Sequence, residues 1–272
     1  VKRITRVPAL PLRARAAHKG TFGTVLVVAG SDGMLGAAIL CARGALRGGA
    51  GLVRACLPPE LRAPFAVAVP AATSLPRRSG ADVQKALAAV DAVVAGPGLT
   101  TGVATRAMVH ALLRSATVPL VLDADALSVL APLRARLPGS GHKVLTPHPG
   151  EAARLLGTDS KLVQMDRPGA VRELARRSGA VAVLKGAGTL VTDGRRLFHN
   201  RTGNPGMATG GSGDVLAGLL AALLGQGMAP FDAACLAVHT HGRAGDLLAR
   251  RLSQTGLCAE DLPLAIAEVL RP

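Results

Sequence analysis

The stretch Asn204-Pro-Gly-Met-Ala-Thr-Gly-Gly-Ser-Gly-Asp214, followed by the apolar run 215–224, carries the strongest chemical signal in this chain. Gly210, Gly211 and Gly213 allow backbone conformations and close approaches that a Cβ would block. A glycine-rich loop entering a helix leaves unpaired N–H groups at the helix N-terminus, where the macrodipole also favours an anion. No Gly-Lys-Ser/Thr follows, so this is not a Walker A loop. It supplies instead a carboxylate, Asp214, in the first helical turn. Beside a bound phosphate, such a group accepts the proton of an attacking hydroxyl while the amides stabilise the transferring phosphoryl group. Capping is the competing role for Asp214. Three clustered glycines ahead of an apolar helix favour the catalytic one.

Other polar residues gather after short apolar runs. Lys185, followed by Gly186 and Gly188, either pairs with donor phosphates or snorkels into water from a strand end. If it pairs, its truncation weakens nucleotide binding and leaves the fold intact. His148 sits between two prolines, ahead of Glu151. That rigid turn either presents the ring to a ligand at small entropic cost or simply lies at the surface. Asp123 and Asp125, read as extended chain, would share a side as Mg²⁺ or phosphate-water ligands do; turn formation and capping compete. His239 and His241 are two apart on a predicted helix, so they do not share a face and read as structural. The loop 30–36 lacks GxGxxG spacing and an acidic ribose clamp, which argues against a hydride-transfer enzyme.

The elements that must position these groups alternate along the chain. Predicted strands cover 24–29, 52–57, 92–95, 119–122, 143–145, 181–184 and 189–192. Predicted helices cover 36–47, 82–90, 103–115, 150–156, 168–178, 213–224 and 231–252. Continuously apolar strands separated by helices indicate an α/β fold: a central, mostly parallel sheet with helices on both faces. Nearly every strand ends in Gly, Asp, His or Lys. In open α/β sheets ligands bind beyond the carboxyl ends of the strands, so these clusters converge on one crevice.

Composition narrows the function classes. A chain of 272 residues with 49 % hydrophobic and 18 % charged residues folds and buries a sizeable core. No linker or repeat divides it, so one domain (20–272) is expected after a Pro/Arg-rich lead-in (1–19). No apolar run is long enough to span a bilayer, and the N-terminus lacks a signal-peptide core. Four Cys without CxxC spacing suggest neither zinc nor a disulfide framework, and cytoplasmic residence is the default. The net charge of +15 suggests a polyanionic partner. The Arg residues are scattered, however, and the chain has no Tyr and no Trp, so nucleic acid is not expected.

The Gly-Gly-Ser-Gly-Asp stretch resembles the anion hole of ribokinase-like kinases. Six segments extend the likeness: 30–38, Ala95-Gly-Pro-Gly-Leu99, Leu122-Asp-Ala-Asp-Ala-Leu127, Leu145-Thr-Pro-His-Pro-Gly-Glu151, Leu184-Lys-Gly-Ala-Gly-Thr189 and 204–218. Together, and in this order, they resemble the ADP/ATP-dependent NAD(P)H-hydrate dehydratases, from about residue 18 to residue 246. That resemblance implies a ribokinase-like fold and repair of hydrated NAD(P)H, in which ADP or ATP with Mg²⁺ phosphorylates the ring hydroxyl and phosphate is then eliminated. It implies Asp214 as catalytic base and Gly211, Ser212 and Gly213 as the anion hole. Ala37, Gly98, His148 and Asp214 would line the hydrated nucleotide. Lys185, Gly186, Ala187, Gly188, Thr189 and Gly213 would contact the adenine nucleotide. Metal ligands are not implied. A homo-oligomer (a tetramer among the options) and an NAD(P)H-hydrate epimerase partner are expected. Met34–Leu35 departs from the family, whose members often carry an aromatic residue there. The alternative is a ribokinase-like small-molecule kinase, such as a hydroxyethylthiazole kinase.

Overall fold

The computed structural model describes residues 2–271. Its ten strands form one sheet: β1 (Lys2–Ile4), β2 (Thr24–Val28), β3 (Leu52–Leu57), β4 (Thr73–Pro76), β5 (Ala92–Ala95), β6 (Leu120–Leu122), β7 (Lys143–Leu145), β8 (Val181–Leu184), β9 (Leu190–Thr192) and β10 (Arg196–His199). The helices before the middle of the chain are α1 (Leu35–Arg47), α2 (Arg62–Ala68), α3 (Gly80–Ala86), α4 (Val103–Ser115) and α5 (Ala124–Leu130). Beyond it lie α6 (Pro149–Leu156), α7 (Ser160–Met165), α8 (Arg167–Ser178), α9 (Ser212–Gly225), α10 (Pro230–Arg251) and α11 (Leu262–Val269).

The sheet order is β1-β10-β9-β8-β7-β6-β5-β2-β3-β4. From β4 across to β8 every pairing is parallel; β9 runs against both β8 and β10. The chain winds from β2 towards β4, then returns and winds from β5 towards β8. Between β2 and β5 the direction of winding reverses, and a crevice opens beyond their carboxyl ends. The lead-in contributes the far edge, where Lys2–Ile4 pairs in parallel with β10.

Alternation along the strands builds two cores. Val25 and Val27 join the α1, α9 and α10 side, with Cys41, Leu220 and Val238. Leu26 and Val28 join the α4, α6 and α8 side, with Val109, Leu155 and Leu174. A sheet buried on both faces needs apolar residues at every position, which is why the strands read as unbroken apolar runs. On the first side, α1 and α9 cross at near backbone contact. A Cβ on Gly218 would overlap the carbonyl oxygen of Cys41, and one on Gly44 would overlap that of Val215. This close crossing sets the N-termini of both helices at the crevice. No described helix is long and apolar enough to cross a membrane.

Candidate active site

The chemistry-bearing loop begins at the N-terminus of α9. Gly211 is its N-cap in the left-handed region (φ 90°), and a side chain there would collide with Leu40 of α1. The first intrahelical bond runs from Val215 N to Gly211 O, so Gly213 and Asp214 have N–H groups with no backbone acceptor among the described residues. His241 of α10 holds the loop from behind. Its Nε2–H donates to the carbonyl oxygen of Ser212 (3.0 Å), and Ser212 Oγ stands 3.4 Å away. Burial pushes this imidazole down to about 4, so it is neutral near pH 7. The sequence reads His241 as structural, and what it braces here is the 211–213 loop.

Four strand ends and helix starts add a charged cluster. Lys185, leaving β8, donates to Asp123 Oδ1 at 2.7 Å. Thr146, leaving β7, donates to the same oxygen at 2.8 Å. Glu151 of α6 stands 3.9 Å from Lys185 Nζ. Asp123 and Glu151 are both buried, and two carboxylates hold the Lys185 ammonium above its ordinary value despite burial. Lys185 is therefore not a solvated strand-end lysine. A Cβ on Gly213 would lie 3.1 Å from Lys185 Nζ and 3.8 Å from Asp123 Oδ2, so this cluster abuts the 211–213 loop. Asp214 is raised to about 7, first by burial and then by Asp123, against the pull of Lys185. A carboxyl group poised there exchanges protons readily at neutral pH.

Asp123 and Asp125 do not share a side of an extended chain. Asp123 is the N-cap of α5 and Asp125 lies in its first turn, where Oδ2 accepts from Thr100 N at 2.9 Å. The helix begins at Ala124, so the two carboxylates diverge. Among the described residues no group of three His, Cys, Asp or Glu could hold a metal ion. Asp123 is committed to Lys185 and Thr146, so these donors do not fit a resident Mg²⁺.

His148 is the N-cap of α6. Its Nδ1 accepts from Gly150 N (3.0 Å) and Glu151 N (3.3 Å), which leaves the proton on Nε2, at the half-exposed edge of the ring. His148 N in turn donates to Glu151 Oε2 at 2.7 Å. His148, Lys185–Thr189, Ser212 and Gly213 all line one cavity of about 600 Å³. Ala37 and Gly98 lie apart from that cavity but against each other. They meet at the winding reversal, where a Cβ on Gly98 (φ 62°) would sit 3.1 Å from the Ala37 Cβ and 2.9 Å from Met34 O. The loops after β2 and β5 are joined there by Gly30 N donating to Pro97 O at 2.8 Å. Arg77, beyond β4, donates to the carbonyl oxygen of Gly30 and steadies this corner.

A model of the NAD(P)H-hydrate dehydratase family matches residues 25–267. The chain belongs to the NAD(P)H-hydrate dehydratase family. It is 45 % identical over 275 residues to the bifunctional NAD(P)H-hydrate repair enzyme Nnr of Moorella thermoacetica, covering 96 % of this chain and 52 % of that one. It is 44 % identical over 248 residues to the ADP-dependent (S)-NAD(P)H-hydrate dehydratase of Neisseria meningitidis, covering 87 % and 80 %. The chain spans about half the length of most of the curated relatives it matches. The crystal structure of the ADP/ATP-dependent NAD(P)H-hydrate dehydratase from Bacillus subtilis, co-crystallised with ATP/Mg²⁺, superposes with a TM-score of 0.87 at 34 % identity, covering 96 % and 93 %. A hydroxyethylthiazole kinase from Pyrococcus horikoshii, at 18 % identity and a TM-score of 0.63, shares the fold alone. The ribokinase-like α/β class read from the sequence is the observed one.

Proposed function

We propose that this dehydratase-family chain restores NAD(P)H from (S)-NAD(P)HX, consuming ADP or ATP. The observation that carries the reading is Asp214: a carboxyl group raised to about 7, at the N-terminus of α9, beside Lys185. The names of the Neisseria and Bacillus relatives support the choice of substrate and donor.

The donor phosphates would lie against Lys185, Gly186, Ala187, Gly188, Thr189 and Gly213. The transferring group would meet the anion hole of Gly211, Ser212 and Gly213, where the N–H groups of Gly213 and Asp214 lack backbone acceptors among the described residues and would face developing negative charge. The hydrated ring would enter from the Ala37–Gly98 corner, with His148 Nε2–H as a hydrogen-bond donor. Asp214 takes the proton from the ring hydroxyl as the hydroxyl oxygen attacks the terminal phosphorus, and the bridging P–O bond breaks to release AMP from ADP or ADP from ATP. Hydroxide leaves poorly and phosphate leaves well. The ring nitrogen then expels phosphate from C6, and loss of a proton from C5 restores the double bond. A Mg²⁺ ion held by the donor phosphates rather than by this chain's carboxylates would supply neutralisation of their charge.

We assign residues 20–272 to the dehydratase domain, an epimerase of the same substrate as functional partner, a homo-oligomeric state and cytoplasmic residence. The test incubates the protein with enzymatically hydrated NADH, MgCl₂ and ATP or ADP, and follows the absorbance of reduced nicotinamide. Nucleotide-dependent recovery is expected. Folded protein that gives none with either donor overturns the reading, and phosphorylation of a thiazole alcohol instead establishes the kinase alternative.

A further inference from the structure

Arg167 opens α8, and its side chain reaches the back of the loop that follows β8. Nη2 lies 3.2 Å from the carbonyl oxygens of both Leu184 and Lys185, and 3.5 Å from that of Gly188. Nη1 donates to Gln164 Oε1 at 2.9 Å. No carboxylate pairs with this guanidinium among the described residues. A half-buried cation with several fixed donors is here devoted mainly to the backbone of one short segment.

The direction of those carbonyls matters. In a trans peptide the C=O and the following N–H point opposite ways. Drawing the Lys185 and Gly188 carbonyls towards Arg167 therefore aims the N–H groups of Gly186 and Thr189 away from it. Neither N–H has an acceptor among the described residues. Gly186 and Thr189 line the 600 Å³ cavity, whereas Arg167 does not; it lines an adjoining cavity, with Ile4 and Phe198, that shares Ala187 and Gly188 with the first. Gly186 adopts φ 123°, and a Cβ there would come within 3.3 Å of Nη1, so the glycine also gives the guanidinium its room.

We propose that Arg167 is a positioning residue for the adenine nucleotide: it clamps the 185–189 loop from behind so that the loop presents its N–H groups to donor phosphates. This rests on the assignment of that loop to the nucleotide. Arg167 touches no ligand in this role, and its effect passes through the backbone of Lys185 and Gly188.

The experiment measures ADP binding by calorimetry, with steady-state kinetics, for the wild type, Arg167→Lys and Arg167→Met. In Arg167→Met the Kd for ADP should rise about tenfold, as expected for loss of a charge-assisted contact. The KM for nucleotide should rise with it, while the KM for hydrated NADH holds and kcat at saturating nucleotide falls far less. Arg167→Lys, which keeps the charge but not the fork, should recover part of the affinity. A loss of stability that moves both KM values together, or an ADP Kd within about twofold of wild type, overturns the clamp. If Arg167→Met does not fold, Arg167→Lys decides by the same split. Wild-type protein that binds neither ADP nor ATP would instead remove the loop assignment itself.

Discussion

Lys185 Nζ and Asp123 Oδ1 stand 2.7 Å apart, in an ion pair whose carboxylate is 1 % exposed. The lysine that closes β8 thus reaches the cavity already bonded to the end of β6. Under the proposed function it would serve two anions, one resident and one arriving. Breaking such a pair from one side leaves the other charge buried and uncompensated, which typically costs about 3–5 kcal/mol.

Lys185→Ala is accordingly expected to weaken nucleotide binding and also to lower the melting temperature. The second effect departs from the sequence reading, in which truncating a phosphate-pairing Lys185 weakens nucleotide binding and leaves the fold intact. Lys185→Met with Asp123→Asn should melt above Lys185→Ala alone, because the unpaired carboxylate has gone. Thermal melts of the three proteins at pH 8 check this. A single variant as stable as the wild type would mean that the pair contributes nothing.

Gly218→Ala should disable the site from a distance. The added methyl has no room against the Cys41 carbonyl, so α1 and α9 must separate. Overpacking of this kind costs about 1–3 kcal/mol. It also displaces α1, whose Leu40 packs at Gly211, from the N-terminus of α9, so turnover should fall by more than stability alone explains. Melting and kcat/KM on the same preparation measure the two effects, and normal turnover would show that the crossing does not position the site.

Much of this site was legible because its residues sit at strand ends, where glycine, lysine and aspartate interrupt apolar runs. The seven predicted strands all appear, within a residue at each boundary. The strands Lys2–Ile4, Thr73–Pro76 and Arg196–His199 were missed: they are short, sit at or near the sheet edges and lack continuous apolar character. The turn at Asp123 proved to be the start of α5, because an aspartate before Ala and Leu can serve equally as turn former or cap. Arg167 and the support that His241 gives Ser212 could not be read at all. Their partners are backbone carbonyls 17 to 29 positions away, and backbone acceptors leave no mark on residue type.

Two buried groups should make stability depend on pH in opposite senses. Asp214 stands at about 7 in the folded chain against an ordinary 3.8, so between these values the native state holds a proton that the unfolded state has lost. Its contribution grows as pH falls through 7. His241 stands at about 4 against 6.5, so the unfolded state takes up the proton first and stability drains as pH falls below 6.5. Asp214→Asn should then lose stability more steeply than wild type from about pH 7 to pH 5, and His241→Asn should gain where wild type is nearly level. Melting temperatures across that range test both slopes, and parallel curves for all three proteins would refute the opposition.

Asp214→Asn provides the decisive catalytic test. Asparagine keeps the size of aspartate, and the N-cap of α9 is Gly211 rather than Asp214, so α9 should survive. It cannot accept the hydroxyl proton, and general-base catalysis typically contributes about 10²–10⁴-fold. Turnover should therefore fall by that factor while ADP and hydrated NADH still bind. Loss of a negative charge beside the phosphates should leave ADP affinity equal or tighter. In the wild type, kcat/KM should climb about tenfold per pH unit below 7 and level off above it, because the base must be ionised to act. The residual activity of Asp214→Asn should lack that acid limb. A variant that keeps both its turnover and the inflection near pH 7 would remove Asp214 from the proton transfer and pass the base to another group.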